Sequence, residues 1–124
     1  MNLVTDASGM FKDATDYNQN MNFWDIRNVA NMSEMFENAT SFNRNIGNWK
    51  PNQLLNATDM FDGATNFSTA NYDLLLEGWS AESLFSLVTF SAGTTQYSAG
   101  TAATARGVLT GAPNDWTITD GGQV

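Results

Sequence analysis

Apolar residues recur along this chain at a fixed interval of 25 positions. Met-Phe pairs stand at residues 10–11, 35–36 and 60–61. Alanine follows each methionine by four positions, and an aromatic residue follows it by seven: Ala14, Ala39 and Ala64, then Tyr17, Phe42 and Phe67. A constant period of this length is typical of stacked repeats, and it lies in the leucine-rich-repeat range of about 20–29 residues.

The pattern inside one repeat predicts a helix followed by a short strand. One apolar stripe has helical spacing: Val29, Met32, Met35, Phe36 and Ala39. Asn28 is the expected N-cap, and residues 42–49 are expected to form the strand. Stacking such units predicts an α/β fold, a leucine-rich-repeat-like right-handed solenoid with short parallel strands on one side and helices on the other. Asn43 is expected above Asn18 and Asn45 above Asn20, as two amide ladders.

The third copy of the repeat changes after Phe67, because Leu74 stands where the period calls for tryptophan. Tyr72, Leu75, Leu76 and Trp79 instead predict a helix with Thr69 or Asn71 near its start. A strand over 87–90, a helix over 101–109 closed by Gly111, and a strand over 116–119 are expected next. We therefore predict two and a half to three repeats in residues 1–68 and a C-terminal α/β cap in residues 69–124, continuous with them in one domain.

The beginning of the sequence aligns with the interior of a repeat. Met1–Leu3 corresponds to Ile26–Asn28 in the next copy. We expect the chain to be a fragment of a longer protein with an open N-terminal coil, on which a second copy would stack as a homodimer.

Composition excludes several classes of chemistry. The chain has no cysteine and no histidine, which excludes thiol catalysis, Cys/His zinc sites and histidine triads. Its net charge of −8 disfavours nucleic acid and anionic lipid as partners. No apolar run of about 18 residues predicts membrane insertion, and no signal peptide is evident in the sequence.

The repeat over residues 29–49, with Asn31-Met32-Ser33, Met35-Phe36, Phe42-Asn43 and Trp49, resembles the BspA-like, mycoplasma-lipoprotein type of bacterial surface protein. The resemblance covers residues 1–68, and the segment from Tyr97 to Gly121 is similar to segments that close such arrays. It implies a solenoid on a secreted or surface-anchored adhesive protein. It supplies no catalytic residues, and we expect no enzyme activity, no cofactor and no bound metal.

Carboxylate pairs three residues apart are the candidates for acid/base chemistry. They are Asp13/Asp16, Glu34/Glu37 and Asp59/Asp62. Their spacing places them on the polar face of the predicted helix, where a solvated surface is the simpler interpretation. Asp115 and Asp120 in acidic turns are weaker candidates for calcium, because no EF-hand or nonapeptide calcium motif is present.

The candidate binding residues lie at positions that differ between repeats while the surrounding frame is kept. We assign them to the concave face: Gln19, Asn22, Phe23, Arg44 and Asn48. Trp24 and Trp49 have two interpretations, as core residues between coils or as a platform on which a sugar stacks.

The repeat pattern and the family resemblance together lead to three hypotheses for function. The first is an extracellular interaction and adhesion module that binds protein or glycan at a cell surface. The second is a structural spacer or self-association unit, in a surface array or a phage tail fibre. A carbohydrate-active enzyme is the remote third.

Overall fold

Backbone hydrogen bonds join each repeat to the next at alternate positions. The computed structural model describes residues 4–124, and we define repeat 1 as residues 4–28, repeat 2 as 29–53 and repeat 3 as 54–68. Parallel bridges pair Asp6 with Asn31 and Asn31 with Asn56. The N–H groups of repeat 1 at Ala7, Gly9, Phe11 and Asp13 donate to the carbonyls of Asn31, Ser33, Met35 and Glu37. The same four bonds recur between repeats 2 and 3, so the repeats stack in register. The alignment of Met1–Leu3 lies outside the described residues.

The segment predicted as the repeat helix is a series of turns, so that prediction is wrong. N–H groups of residues 35, 37 and 39 bond to carbonyls three residues earlier, while the intervening ones bond to repeat 3. Glu34 and Asn38 have φ angles of 57° and 58°, in the left-handed region, which interrupts an α-helix. Each turn still returns every third or fourth side chain to the interior, which reproduces helical spacing. Asn28 therefore caps no helix.

The strand predicted over residues 42–49 is also absent, because side chains rather than backbone groups link the repeats there. Asn18 Oδ1 accepts the N–H of Asn43 at 2.9 Å, and Asn43 Oδ1 accepts the N–H of Ser68 at 3.0 Å. This amide ladder is confirmed. Asn45 instead closes its own turn by accepting the N–H of Gly47 at 2.8 Å, so the second expected ladder is wrong.

Residues beyond 68 form the helices predicted for them. Helix α1 spans Thr69–Trp79 and α2 spans Thr101–Thr110, with Gly111 as the α2 C-cap. The N-cap of α1 is Ser68, whose side chain accepts the N–H of Asn71. The strands are β1 (Asn56–Ala57), β2 (Thr89–Ser91) and β3 (Thr117–Thr119). The two later strands are shifted by one or two residues from the predicted ranges.

One parallel ladder runs from the repeats into the C-terminal segment. The sheet order is β1-β2-β3, with Asn56 opposite Thr89 and Thr89 opposite Thr117. Because Asn56 also pairs with Asn31 of repeat 2, the sheet extends the bridges between the repeats. Over residues 4–124 the fold is thus mixed α/β, with two helices and a three-stranded parallel sheet.

Two columns of aromatic rings form the centre of the core. In one column Phe36 lies 5.5 Å from Phe11 and 5.3 Å from Phe61, measured between ring centroids. The second column stacks Phe42 between Tyr17 and Phe67 at 6.2 and 6.3 Å. The three phenylalanines that follow methionine therefore share one environment, as the period predicts.

Trp79 takes the structural place that the 25-residue period assigned to position 74. Trp49 Nε1 donates to the carbonyl of Met21 at 2.8 Å, and Trp79 Nε1 donates to the equivalent carbonyl of Ile46 at 3.1 Å. Helix α1 reaches this place by packing closely on repeat 2, where a Cβ on Gly78 would collide with the carbonyl of Gly47. Helix α1 thus adds residues to the third repeat, and the tryptophan hydrogen bond to the preceding repeat is kept.

Candidate functional site

A pocket of about 280 Å³ lies at the turn after Met21, between repeats 1 and 2. Its lining combines two aromatic rings, two amides and three charged groups. The lining residues are Asn22, Phe23, Trp24, Asp25, Ile26, Arg27, Asn48 and Lys50. Because residues 22–27 belong to repeat 1 and residues 48 and 50 to repeat 2, stacking of the repeats creates the pocket.

Three of the five candidate binding residues meet in this pocket. Asn22, Phe23 and Asn48 line it, whereas Gln19 and Arg44 lie on the surface outside it. Arg44 has a structural contact instead, because its Nε donates to the carbonyl and to Oδ1 of Asn18, both at 3.1 Å. Three of the five residues chosen by repeat position thus lie together, and the other two lie apart from them.

Amide side chains fix the shape of the turn after Met21. Asn20 Oδ1 accepts the N–H of Asn22 at 3.1 Å, which closes the turn. Asn22 Oδ1 in turn accepts the backbone N–H of Asn48 at 3.1 Å, which ties the two repeats together. Asn22 Nδ2 has no hydrogen-bond partner within residues 4–124.

The charged groups of the pocket are already paired. Arg27 holds Asp25 through two bonds, from Nε to Oδ1 at 2.9 Å and from Nη2 to Oδ2 at 2.8 Å. Lys50 Nζ lies 3.5 Å from a carboxylate oxygen of Glu82. Sequence reasoning missed Asp25, Arg27 and Lys50, although an acidic and a basic residue two positions apart at a turn was a usable signal.

Asp25 should titrate far below an ordinary aspartate. The hydrogen bonds from Arg27 lower the pKa of the Asp25 carboxyl from 3.8 to about 2. Since the folded-state pKa is depressed, the stabilising contribution is present above the ordinary value and is lost as pH falls from 3.8 through about 2. Carboxyl NMR titration should show this midpoint, and Arg27→Gln should return it toward 3.8. A wild-type midpoint near 3.8 would contradict the pairing.

The tryptophans divide between the two interpretations. Trp49 is buried and bonded to Met21, so it belongs to the core. Trp116 Nε1 likewise donates to the carbonyl of Phe85 at 2.9 Å. Trp24 is half-buried, packs on Phe11 at 5.9 Å and lines the pocket. Its Nε1 has no hydrogen-bond acceptor among residues 4–124.

The carboxylate pairs lie on the turns rather than on a helix face. Burial and the neighbouring Asp62 raise the pKa of Asp59. Asp62 accepts a hydrogen bond from Ser91 Oγ at 2.6 Å, so one of its oxygens has a structural contact. No group of three or more acidic side chains among the described residues is arranged to hold a metal ion.

Asp120, a weak calcium candidate, is committed to other partners. It accepts hydrogen bonds from Tyr72 Oη at 2.7 Å, Arg106 Nε at 2.8 Å and the Gly122 N–H at 2.9 Å. Its oxygens therefore organise the C-terminal segment.

Neither helix of the described chain has the length and apolar character needed to cross a membrane.

Comparison with known proteins identifies a family but no individual relative. A family model described as Mycoplasma protein of unknown function, DUF285, matches residues 1–98. This match fits a bacterial surface-protein repeat without singling out the BspA-like type. Neither the curated proteins nor the solved structures give a significant match.

Proposed function

Because the chain belongs to the Mycoplasma DUF285 family, we propose that it is a non-enzymatic interaction and adhesion module of a bacterial surface protein. In this proposal the chain acts outside the cell or at its surface and binds protein or glycan through the pocket between repeats 1 and 2. We also propose that the repeats are of the BspA-like type and form a leucine-rich-repeat-like solenoid closed by residues 69–124. The support for the solenoid is the hydrogen-bonded 25-residue register and the two aromatic columns.

The observation that carries the binding proposal is the pocket itself. The Asn18–Asn43 ladder belongs to a frame that is repeated within the chain. The exposed residues in the turns beside this frame differ from repeat to repeat. At the turn after Met21 this arrangement brings Asn22, Phe23 and Asn48 together around the pocket. Rigid repeats that present variable side chains are a common design for recognition surfaces.

Binding should depend on Asn48 and not on Gln19. We would screen the labelled chain against a glycan array and a panel of immobilised extracellular-matrix proteins. Asn48→Ala should weaken the binding of any captured ligand about tenfold or more, equivalent to about 1.4 kcal/mol, because Asn48 lines the pocket and its backbone bond to Asn22 is kept in the variant.

Gln19→Ala is the matched control, since Gln19 is exposed and lies outside the pocket. Equal binding by both variants, or no ligand on either panel, would contradict the proposal. Both variants should keep the wild-type oligomeric state.

The exposed apolar side chain of Met10 supports self-association as a second candidate function. Met10 is 41% exposed, whereas its counterparts Met35 and Met60 are fully buried. Phe11 and Tyr17 are half-buried where their counterparts in repeat 2 are buried, so Met10 departs from the expected core pattern. Under this alternative the occupant is a second copy, and Met10→Lys would abolish a concentration-dependent dimer in sedimentation experiments.

A further inference from the structure

We propose that the pocket between repeats 1 and 2 binds an uncharged pyranose ring of a glycan, placed against Phe23 and Trp24 and hydrogen-bonded by the amides of Asn22 and Asn48. This inference rests on the proposed function and names the ligand class for the same site. Four properties of the pocket select that class: its size, its aromatic rings, its balanced charge and its unused donors.

The size of the pocket suits a small ligand. A volume of about 280 Å³ lies just below the roughly 300–1,000 Å³ typical of small-molecule sites, so only a small ligand would fit. The turn after Met21 and the edge of repeat 2 form its walls. Such a space accommodates a terminal sugar ring better than a folded protein surface, which contacts a broad area.

Aromatic rings line the pocket where the surface is otherwise polar. Phe23 is 77% exposed, the highest value among the large apolar side chains of the described chain. Trp24 is only half-buried beside it. A pyranose ring has an apolar C–H face that packs on such rings, while its edge carries hydroxyls.

The balance of charge favours a neutral ligand over an anionic one. Arg27 is neutralised by Asp25, and Lys50 is beside Glu82, so neither cation is free to select an anion. The chain as a whole carries −8, which opposes the approach of acidic glycans. Paired charges still exchange hydrogen bonds with hydroxyl groups, which both donate and accept.

The pocket also holds amide groups that can bond to a sugar. Asn22 and Asn48 both line it. Asn22 Oδ1 accepts the N–H of Asn48, and Asn22 Nδ2 has no hydrogen-bond partner within residues 4–124. Hydroxyl and ring oxygens of a sugar are acceptors for these groups.

The indole N–H signal of Trp24 gives a direct test. We would titrate the ¹⁵N-labelled full chain with neutral saccharides (maltotriose, cellobiose, lactose, mannobiose and N-acetylglucosamine dimer), and in parallel with oligoglucuronate and sialyllactose. Trp24→Phe assigns the signal, because it keeps a ring and removes the donor. We expect a saturable shift of the Trp24 signal with at least one neutral saccharide.

Two variants test the position of the sugar. Asn48→Ala should raise the dissociation constant about tenfold or more, while Gln19→Ala should leave it unchanged. Asn48→Ala leaves the backbone bond to Asn22 in place, so this comparison holds even if Trp24 variants fold poorly.

The remaining outcomes overturn the inference. A shift with the acidic saccharides alone would show that the pocket selects anions. No shift with any saccharide, together with capture of a matrix protein that is lost in Asn48→Ala, would overturn the sugar assignment and leave the proposed function standing. No shift and no capture would overturn both. A Trp24 shift produced by protein concentration alone would assign the site to a second copy.

Discussion

Replacing Phe36 by alanine should lower the free energy of unfolding by about 3–5 kcal/mol, the usual range for a fully buried phenylalanine. Phe36 has no exposed surface and stacks on Phe11, Phe42 and Phe61 at 5.5, 4.2 and 5.3 Å. Its removal opens a cavity in the middle of one aromatic column. Since the backbone on both sides is hydrogen-bonded to other repeats, the cavity cannot easily collapse.

Urea denaturation followed by circular dichroism would measure this loss. Phe23→Ala is the matched control, because the same side chain is removed from a position that is 77% exposed. Its effect should stay within about 0.5 kcal/mol. A Phe36→Ala loss below about 1 kcal/mol would show that the column is not the principal core.

The sequence predicted the stacking of the repeats but not their local conformation. Period and residue type were sufficient to align Phe11, Phe36 and Phe61, because buried rings leave a strong signal in the pattern. They did not reveal that Glu34 and Asn38 adopt left-handed backbone angles. Turns and helices both return every third or fourth side chain to the core, so apolar spacing alone does not separate them.

A second signal for the turns was present at the same repeat positions. The left-handed position of Glu34 is glycine in repeat 1, at Gly9, and that of Asn38 is glycine in repeat 3, at Gly63. Glycine and asparagine tolerate positive φ, whereas both are poor in helix interiors. A comparison of these equivalent positions across the repeats would have favoured turns over a helix.

Repeat position selected three residues that line the pocket and two that do not. Asn22, Phe23 and Asn48 line the pocket because the turn after Met21 contacts repeat 2 there, where Asn22 Oδ1 accepts the N–H of Asn48. Gln19 and Arg44 occupy equally variable positions, yet they lie before the turn. The charged part of the lining depends on side-chain pairing between neighbours in the fold, and repeat alignment alone carries no information about that pairing.

Replacing Asp120 by alanine should break the polar network that joins the two helices of the C-terminal segment. The Asp120 side chain is 3% exposed and bonds to Tyr72 of α1, Arg106 of α2 and the Gly122 N–H after β3. Removal leaves a partly buried guanidinium and a buried hydroxyl without their acceptor. Because the Arg106 side chain is 24% exposed, we expect the loss near the lower end of the range for broken buried pairs, about 3 kcal/mol.

Two comparison variants separate the network from its parts in the same denaturation experiment. Tyr72→Phe removes one hydroxyl and should cost about 1 kcal/mol, since Arg106 keeps its carboxylate. Asp25→Ala breaks a solvent-accessible ion pair with Arg27 and should lower the free energy of unfolding by less than about 1 kcal/mol. If Asp120→Ala were no worse than Tyr72→Phe, the carboxylate would not be joining the two helices to β3. The Asp120 effect should also exceed that of any single exposed ion pair, because one side chain is the common acceptor for three donors.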